Sequence, residues 1–372
     1  MDLFIDRDLL VRGLQRVQGI VERRTTNNAL AHVLLNARGS NLRMTASDTM
    51  VTLVADYPAT IRAENDLGVD AQHFFQIARS LPDPTVSLTL TSGSRLQVKS
   101  GKAVFNLNTL SADEFPPTPT ADSKRSLKIT GAHLRRIIEE TLFSISADDN
   151  RYGLNGAHIE AVTSAAGETR ARMVSTDGSR LSYSEVPFEG EVGMGRRVLL
   201  PRKALSEVKK LAEADDVIWD VSFSDRSSTF QGGDLTLMAR LVEGEFPDYK
   251  QVLPEHFRRR VEVDRGTFLD ALRRVSLVAT DRNHSVRFTF EQDALILSAD
   301  NLDFGDAREE IPATLEGEGF ATGFNIRYFQ DLLAPTSSER LSMEMGDVLD
   351  PCIVRLSGRD DCLFIVMPMR LD

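Results

Sequence analysis

A site that breaks bonds needs side chains able to hold a metal, move a proton or attack an electrophile, at workable spacings. In this chain of 372 residues the six histidines, His32, His73, His133, His158, His256 and His284, stand singly. None belongs to an HExxH pair, the helical spacing that a zinc site uses. There is no GxSxG elbow and no GxxxxGK[ST] loop. The "GMG" at 193–195 is too short to cradle a dinucleotide. Asp148 and Asp149 are adjacent carboxylates that could hold a divalent ion. No third ligand stands beside them, so a solvated loop is the simpler reading. Cys352 and Cys362 form no CxxC pair and read as small core or strand residues. The expectation is a protein with no catalytic residue, no metal and no cofactor. A hydrolase that assembles scattered carboxylates such as Asp148 and Asp149 stays open as the rival.

The elements around these residues repeat. Sliding "VEVDRGTFLDALRRV" (261–275) back by 258 lays it on "LFIDRDLLVRGLQRV" (3–17), with Asp264 on Asp6, Arg265 on Arg7, Leu272 on Leu14 and Val275 on Val17. "LKITGAHLRRIIEE" (127–140) is a third copy, with Leu134 and Ile138 where Leu10 and Leu14 fall. Each is an alternating strand running into an amphipathic helix. A second helix recurs in "GVDAQHFFQIARSL" (68–81), "VLLPRKALSEVKKL" (198–211) and "GFNIRYFQDLL" (323–333). Turn signals recur in "ASDTM", "STDGS" and "SADNL", where Asp48, Asp177 and Asp300 can hydrogen-bond their own backbone. Between them, runs such as "RLQVKS", "AVFNLN", "RLSYSEV", "FTFEQDALILSA" and "PCIVRLS" read as half-buried antiparallel strands. The period is about 120–135 residues, within the range of one domain. Linkers are expected at "PPTPTADSK" (116–124) and "LPEHFRRR" (253–260).

No apolar run approaches the ~20 residues that span a bilayer. The opening "MDLFIDRDLL" lacks a basic leader ahead of an apolar core, so the expected place is the cytoplasm. A net charge of −11 argues against nucleic-acid binding over the whole surface, though it hides how charge is distributed.

Three stretches add specificity: "RYGLNG" (151–156), "STDGSRL" (175–181) and "EGEFPDYKQVLP" (243–254). The chain closes on "FIVMPMRLD" (364–372). With the triplication, the whole chain resembles the bacterial sliding clamp family, the beta subunit of DNA polymerase III. The resemblance implies an α+β fold of three repeated clamp-type domains, 1–121, 122–254 and 255–372, each with two helices packed on antiparallel sheet. It implies a head-to-tail homodimer closing into a six-domain ring around double-stranded DNA, without sequence preference and away from any membrane. Twelve inner helices about 8–10 Å apart, each contributing about 5 Å of thickness inward, leave a hole of roughly 20–28 Å, enough for a duplex.

On this resemblance the basic residues of the helices line the hole: Arg7, Arg12, Arg16, Arg135, Arg136, Lys203, Lys209, Lys210, Arg273 and Arg274. The surplus acid lies outside, a distribution suited to weak phosphate contact. Carried-over DNA contacts are Arg24, Tyr152, Arg202 and Lys203, with Gly153 where the family often has a second aromatic. The tail implies a hydrophobic groove for short peptides of the polymerase III catalytic subunit, the clamp loader, other polymerases and repair proteins. Its residues are Leu154, Thr176, Gly178, Arg180, Leu181, Pro247, Val252, Asn325, Tyr328, Val366, Met367, Pro368, Met369, Arg370 and Leu371. Ser179, Gln251 and the extra Asp372 depart from the pattern. Two or three apolar anchors at about 1.5–3 kcal/mol each give micromolar or weaker binding. The dimer contact is expected to use Phe105 and Leu107 on one side and Leu277 and Val278 on the other. A clamp duplicate specialised for resistance or repair fits the same pattern.

Overall fold

Asp6 and Asp264, superposed by the 258-residue shift, do the same work. Each caps the first helix of its repeat. Asp6 Oδ1 accepts from the N–H groups of Asp8 and Leu9 at 2.9 and 3.0 Å, and Asp264 Oδ1 accepts from that of Thr267 at 2.7 Å. These bonds satisfy donors that a helix start leaves unpaired. The arginine after each cap is equally matched: Arg7 donates to the Leu81 carbonyl at 3.3 Å, and Arg265 to the Leu333 carbonyl at 2.7 Å. Each thus ties the first helix of a repeat to the end of the second. The central copy has Gly131 there instead. A Cβ at Gly131 would sit 2.1 Å from the Ala214 carbonyl oxygen, so no side chain fits.

The computed structural model describes residues 1–22, 26–117, 125–148, 150–151, 153–164, 167–191, 198–254, 256–280 and 284–370. Arg24, Asp149, Tyr152, Leu371, Asp372, the 193–195 stretch and most of the first expected linker lie outside them. Among the described residues there are six α-helices: α1 (Arg7–Val17), α2 (Ala71–Ser80), α3 (Gly131–Glu139), α4 (Arg202–Leu211), α5 (Arg265–Val275) and α6 (Ile326–Leu333). None is long and apolar enough to cross a membrane. The matched apolar positions Leu10, Leu14, Leu134, Ile138, Phe268 and Leu272 are all buried. The second expected linker is shorter than its composition implied. Its last residues already belong to the strand Arg259–Asp264, where Arg259 lies over the Phe320 ring at 4.6 Å.

The chain divides into two compact units, 1–134 with 189–191 and 203–241, and 135–188 with 192–202 and 242–372. The central repeat contributes to both. In the first unit fourteen antiparallel strands form one sheet. The strand Val51–Pro58 pairs with Leu235–Arg240, joining the first repeat to part of the central one. In the second unit a twelve-stranded sheet is joined the same way, by Arg180–Pro187 against Cys362–Val366. Besides the strands at the ends of the sheets, two strands within them have a long stretch paired on one side only among the described residues. The 103–108 part of Ala103–Ser111 pairs only with Arg95–Ser100, and the 305–312 part of Gly305–Glu316 only with Ala294–Asn301.

Candidate functional site

Three repeats carry a turn between strands, and the sequence assigned each to an aspartate. Two behave so: Asp48 Oδ1 accepts from the N–H of Met50 at 2.9 Å, and Asp177 Oδ1 from those of Ser179 and Arg180 at 2.9 and 3.1 Å. In the third the work falls to Asn301, whose Oδ1 accepts from Asp303 and Phe304 N–H groups at 2.9 and 3.1 Å. The neighbouring amide has the same reach as the aspartate, and the sequence does not choose between them.

The 176–181 turn organises one surface of the second unit. Thr176 Oγ1 donates to the Arg180 carbonyl at 2.6 Å and accepts from the Gly178 N–H at 3.1 Å. Gly178 holds φ +87°, a left-handed backbone that favours glycine. Arg151 donates to the Asp177 carbonyl, bracing the 151–154 turn that carries Leu154. The tail arrives from the other side. The strand Cys362–Val366 is buried throughout, and the chain then leaves the ladder. The Met367 N–H donates to the Ser179 carbonyl at 2.8 Å, and the Met369 N–H to the Gly323 carbonyl at 2.7 Å. Residues 367–369 therefore run from the 176–181 turn towards the strand Phe320–Asn325, whose last residue, Asn325, caps α6 by accepting from the Arg327 N–H at 3.0 Å.

The third wall is the "FPDY" segment. Phe246 and Tyr249 are buried in a cluster with Leu181, Tyr183, Ile353, Leu363 and Ile365. Tyr249 accepts from Arg172 at 2.8 Å and donates to Glu160. Burial, then the Glu160 bond, push its phenol well above the ordinary range. This foundation of Arg172, Glu160 and Phe246 escaped sequence reasoning, although the aromatic spacing of "FPDY" was a signal for it. On top of it Pro247 and Val252 are exposed, as is Met367, while Leu154, Pro368 and Met369 are half-buried. Val348 and Leu349, also missed, are exposed on a loop whose Val348 carbonyl accepts from Thr322, next to Gly323.

Arg180 is not a free cation. It bonds Asp177 at 3.0 Å and Asp331 at 2.7 Å and lies over the Tyr328 ring at 4.5 Å. It ties the turn to α6. Gly153 has φ +84°, and a Cβ there would meet the Glu245 carbonyl oxygen at 2.5 Å. That contact explains why no aromatic follows position 152.

The expected basic lining is partly neutralised. Lys203 pairs with the buried Asp48 carboxylate and donates to the Ile20 carbonyl at 3.2 Å. Arg136 bonds Asp361 at 2.9 Å, Lys210 bonds Glu207 at 2.7 Å and Arg274 is paired with Glu309. Arg12 and Arg202 are exposed. Of the dimer candidates, Leu277 is exposed, Phe105 and Leu107 are half-buried, and Val278 packs on the third-repeat core. The carboxylate of Asp148 accepts from the N–H and side chain of Asn150 at 3.0 and 3.1 Å, as a turn residue does. Burial pushes the Cys362 thiol up to about 12, out of reach of nucleophilic chemistry.

Three family models match in sequence: the N-terminal domain of the DNA polymerase III beta subunit over residues 1–119, its central domain over 128–248 and its C-terminal domain over 250–370. The chain belongs to the DNA polymerase III beta subunit family. Beta sliding clamps of Caulobacter vibrioides and Pseudomonas putida are 32% and 31% identical to it, each covering all of both chains. Among solved structures, a beta sliding clamp of Caulobacter crescentus matches with TM-score 0.92 at 31% identity. A Pseudomonas aeruginosa sliding clamp bound to griselimycin matches with TM-score 0.90 at 29% identity. Both cover 100% of each chain. The hydrolase reading is set aside on this membership, because the family is a non-catalytic processivity factor.

Proposed function

We propose that this chain is a DNA sliding clamp: a head-to-tail homodimer that closes into a six-domain ring on duplex DNA and tethers the replicative polymerase. The observation that carries this reading is the full-length match to all three beta subunit domains in order. The domains are 1–121, 122–254 and 255–372. The working compartment is the cytoplasm, at the nucleoid.

The groove for polymerase, clamp-loader and repair-protein peptides is formed by Leu154, Pro247, Val252, Met367, Pro368 and Met369, with Thr176, Gly178, Leu181, Asn325, Tyr328 and Val366 beneath or beside them. Arg370 and Leu371 continue the tail. Its support is the convergence of the 176–181 turn, the "FPDY" segment and the tail. Exposed apolar side chains on a braced backbone suit short apolar peptides, since little ordering remains to be done on binding. Arg180 shapes the groove without offering free charge. Arg24, Tyr152 and Arg202 meet phosphates. Lys203 approaches them as one end of an ion pair, which weakens its phosphate contact. Copies meet through Phe105 and Leu107 of one and Leu277 and Val278 of the next.

The test is topological. The protein is loaded by a clamp loader with ATP onto nicked circular DNA, isolated in high salt, and the DNA is then cut. Retention on the circle and loss on linearisation is the expected result, since screened phosphate contacts alone do not survive such salt. Equal loss from both forms, with a loader proven on its own clamp, overturns the ring.

A further inference from the structure

The backbone that carries the 176–181 turn occurs a second time, in the first unit. Asp48 Oδ1 accepts from the N–H groups of Met50 and Val51 at 2.9 and 2.6 Å, as Asp177 Oδ1 does from those of Ser179 and Arg180. The Met50 carbonyl accepts from the Arg240 N–H at 2.9 Å, where the Ser179 carbonyl accepts from that of Met367. Thr49 holds φ +76°, the counterpart of Gly178 at +87°. In both places a chain leaving a mostly buried strand crosses the tip of an aspartate turn.

The side chains on this second turn differ. Met50 stands where the other turn has Ser179 and is 45% exposed. Leu241 is half-buried, and its N–H donates to the Arg226 carbonyl at 2.9 Å, which brings Arg226 to the same end of the sheet. Arg226 and Arg240 are exposed, and neither has an ion partner among the described residues. Asp225 is exposed next to Arg226, so the two arginines outnumber it, and the Asp48 carboxylate is already taken by Lys203. An apolar centre with a positive rim results. Thr49 adds a sign of use. A β-branched residue in a left-handed backbone is strained where glycine is not, and such strain collects at working sites. The exposed Thr49 hydroxyl makes no hydrogen bond among the described residues, so the fold gains nothing printed by that side chain.

We infer that this patch is a second peptide-docking site, in a comparison that rests on the groove reading. Its occupant is a short extended segment with an apolar side chain between carboxylates. The apolar side chain lies on Met50 and Leu241, the carboxylates meet Arg226 and Arg240, and the Thr49 hydroxyl bonds the segment's backbone. Charge complementarity sets the preference. The groove has its arginine, Arg180, neutralised by Asp177 and Asp331 and selects for apolar character alone. Salt therefore weakens docking at the second site more than at the first.

Site-resolved photo-crosslinking of the full chain tests this. The probe is a hexapeptide with an apolar centre between paired glutamates and a photoreactive group, and mass spectrometry locates its adducts. Adducts are expected both at the tail and around Met50 and Leu241. Met50→Asp is expected to lower the second set about tenfold and spare the first, as loss of a central anchor does; Met367→Asp is expected to do the reverse. Arg226→Glu with Arg240→Glu is expected to cost the second set about tenfold, and a lysine-flanked peptide to avoid it. Thr49→Gly is expected to raise the denaturant midpoint while lowering the second set at least about twofold, the loss of one hydrogen bond. A purely structural turn gives the first effect without the second. All the substituted side chains are exposed, and unchanged melting of the other variants verifies folding. Adducts at the tail only overturn the second site and leave the groove standing. Adducts at Met50 with none at the tail overturn the groove reading and leave the second site. Adducts at neither overturn both.

Discussion

At the scale of single residues, backbone geometry decides what the sequence alone left unexplained. Gly153 is the clearest case. Gly153→Ala should cost about 1–3 kcal/mol, the range for a non-glycine residue held in a left-handed conformation, and denaturant unfolding reads it directly. Peptide binding should separate from stability at Met367. Its side chain is exposed while its N–H is bonded, so Met367→Asp should weaken an apolar peptide about tenfold, or ~1.4 kcal/mol. Unfolding should shift by less than ~0.5 kcal/mol. Fluorescence anisotropy with a labelled peptide, beside a melting curve, checks both. The sequence made Asp48 and Asp177 legible because an Asx turn is a local event, and missed only that Asn301 replaces Asp300 in the third turn. It could not reveal that Arg180 and Lys203 are held by Asp331 and Asp48, because those partners are 151 and 155 residues away.

At the scale of elements, the repeat is a repeat of caps and ties. Asp264→Ala should remove about 1 kcal/mol, the usual value of an N-cap. Hydrogen bonds from the Thr267 backbone and hydroxyl hold the Asp264 carboxyl below the ordinary carboxylate range. A depressed folded pKa means that the stabilisation is complete above the unfolded value, near ~3.9. It is lost as pH falls through the folded one. The difference between Asp264→Ala and the parent should therefore be flat from neutral pH to about pH 5 and shrink below it. Helix periodicity and alternating strands were readable because each buried face writes its own period into the chain. Strand order was not readable. Nothing local in "RLSYSEV" states that its partner is the last strand of the chain.

At the scale of the whole molecule, charges anticipated on the DNA-facing helices divide between function and construction. Arg202→Ala should lower the slope of DNA affinity against salt by about 1, as loss of one phosphate contact does. Lys203→Ala should change that slope less and lower the melting temperature more, because it strands the buried Asp48 carboxylate. The second unit has a deeper brace. Glu140 is buried with Arg359 on it, and Ser184 donates to it at 2.6 Å. Arg359 also bonds Asp361 at 2.8 Å, and Arg136 reaches Asp361 at 2.9 Å. Glu140→Gln should cost about 1–3 kcal/mol, the range for a charged hydrogen bond lost in a buried site, since Arg359 keeps Asp361, with calorimetry as the check.

The two seams between repeats have a practical consequence. Three recurring sequence units invite expression of each alone. The central one, cut out at its sequence boundaries, would carry Leu235–Arg240 without Val51–Pro58 and Arg180–Pro187 without Cys362–Val366. Each freed strand is mostly buried in the intact chain, and Leu235–Arg240 is mostly apolar as well. An isolated central repeat would present two sticky borders and precipitate or form ribbons with its own kind. Fragments cut to keep each ladder whole would stay in solution.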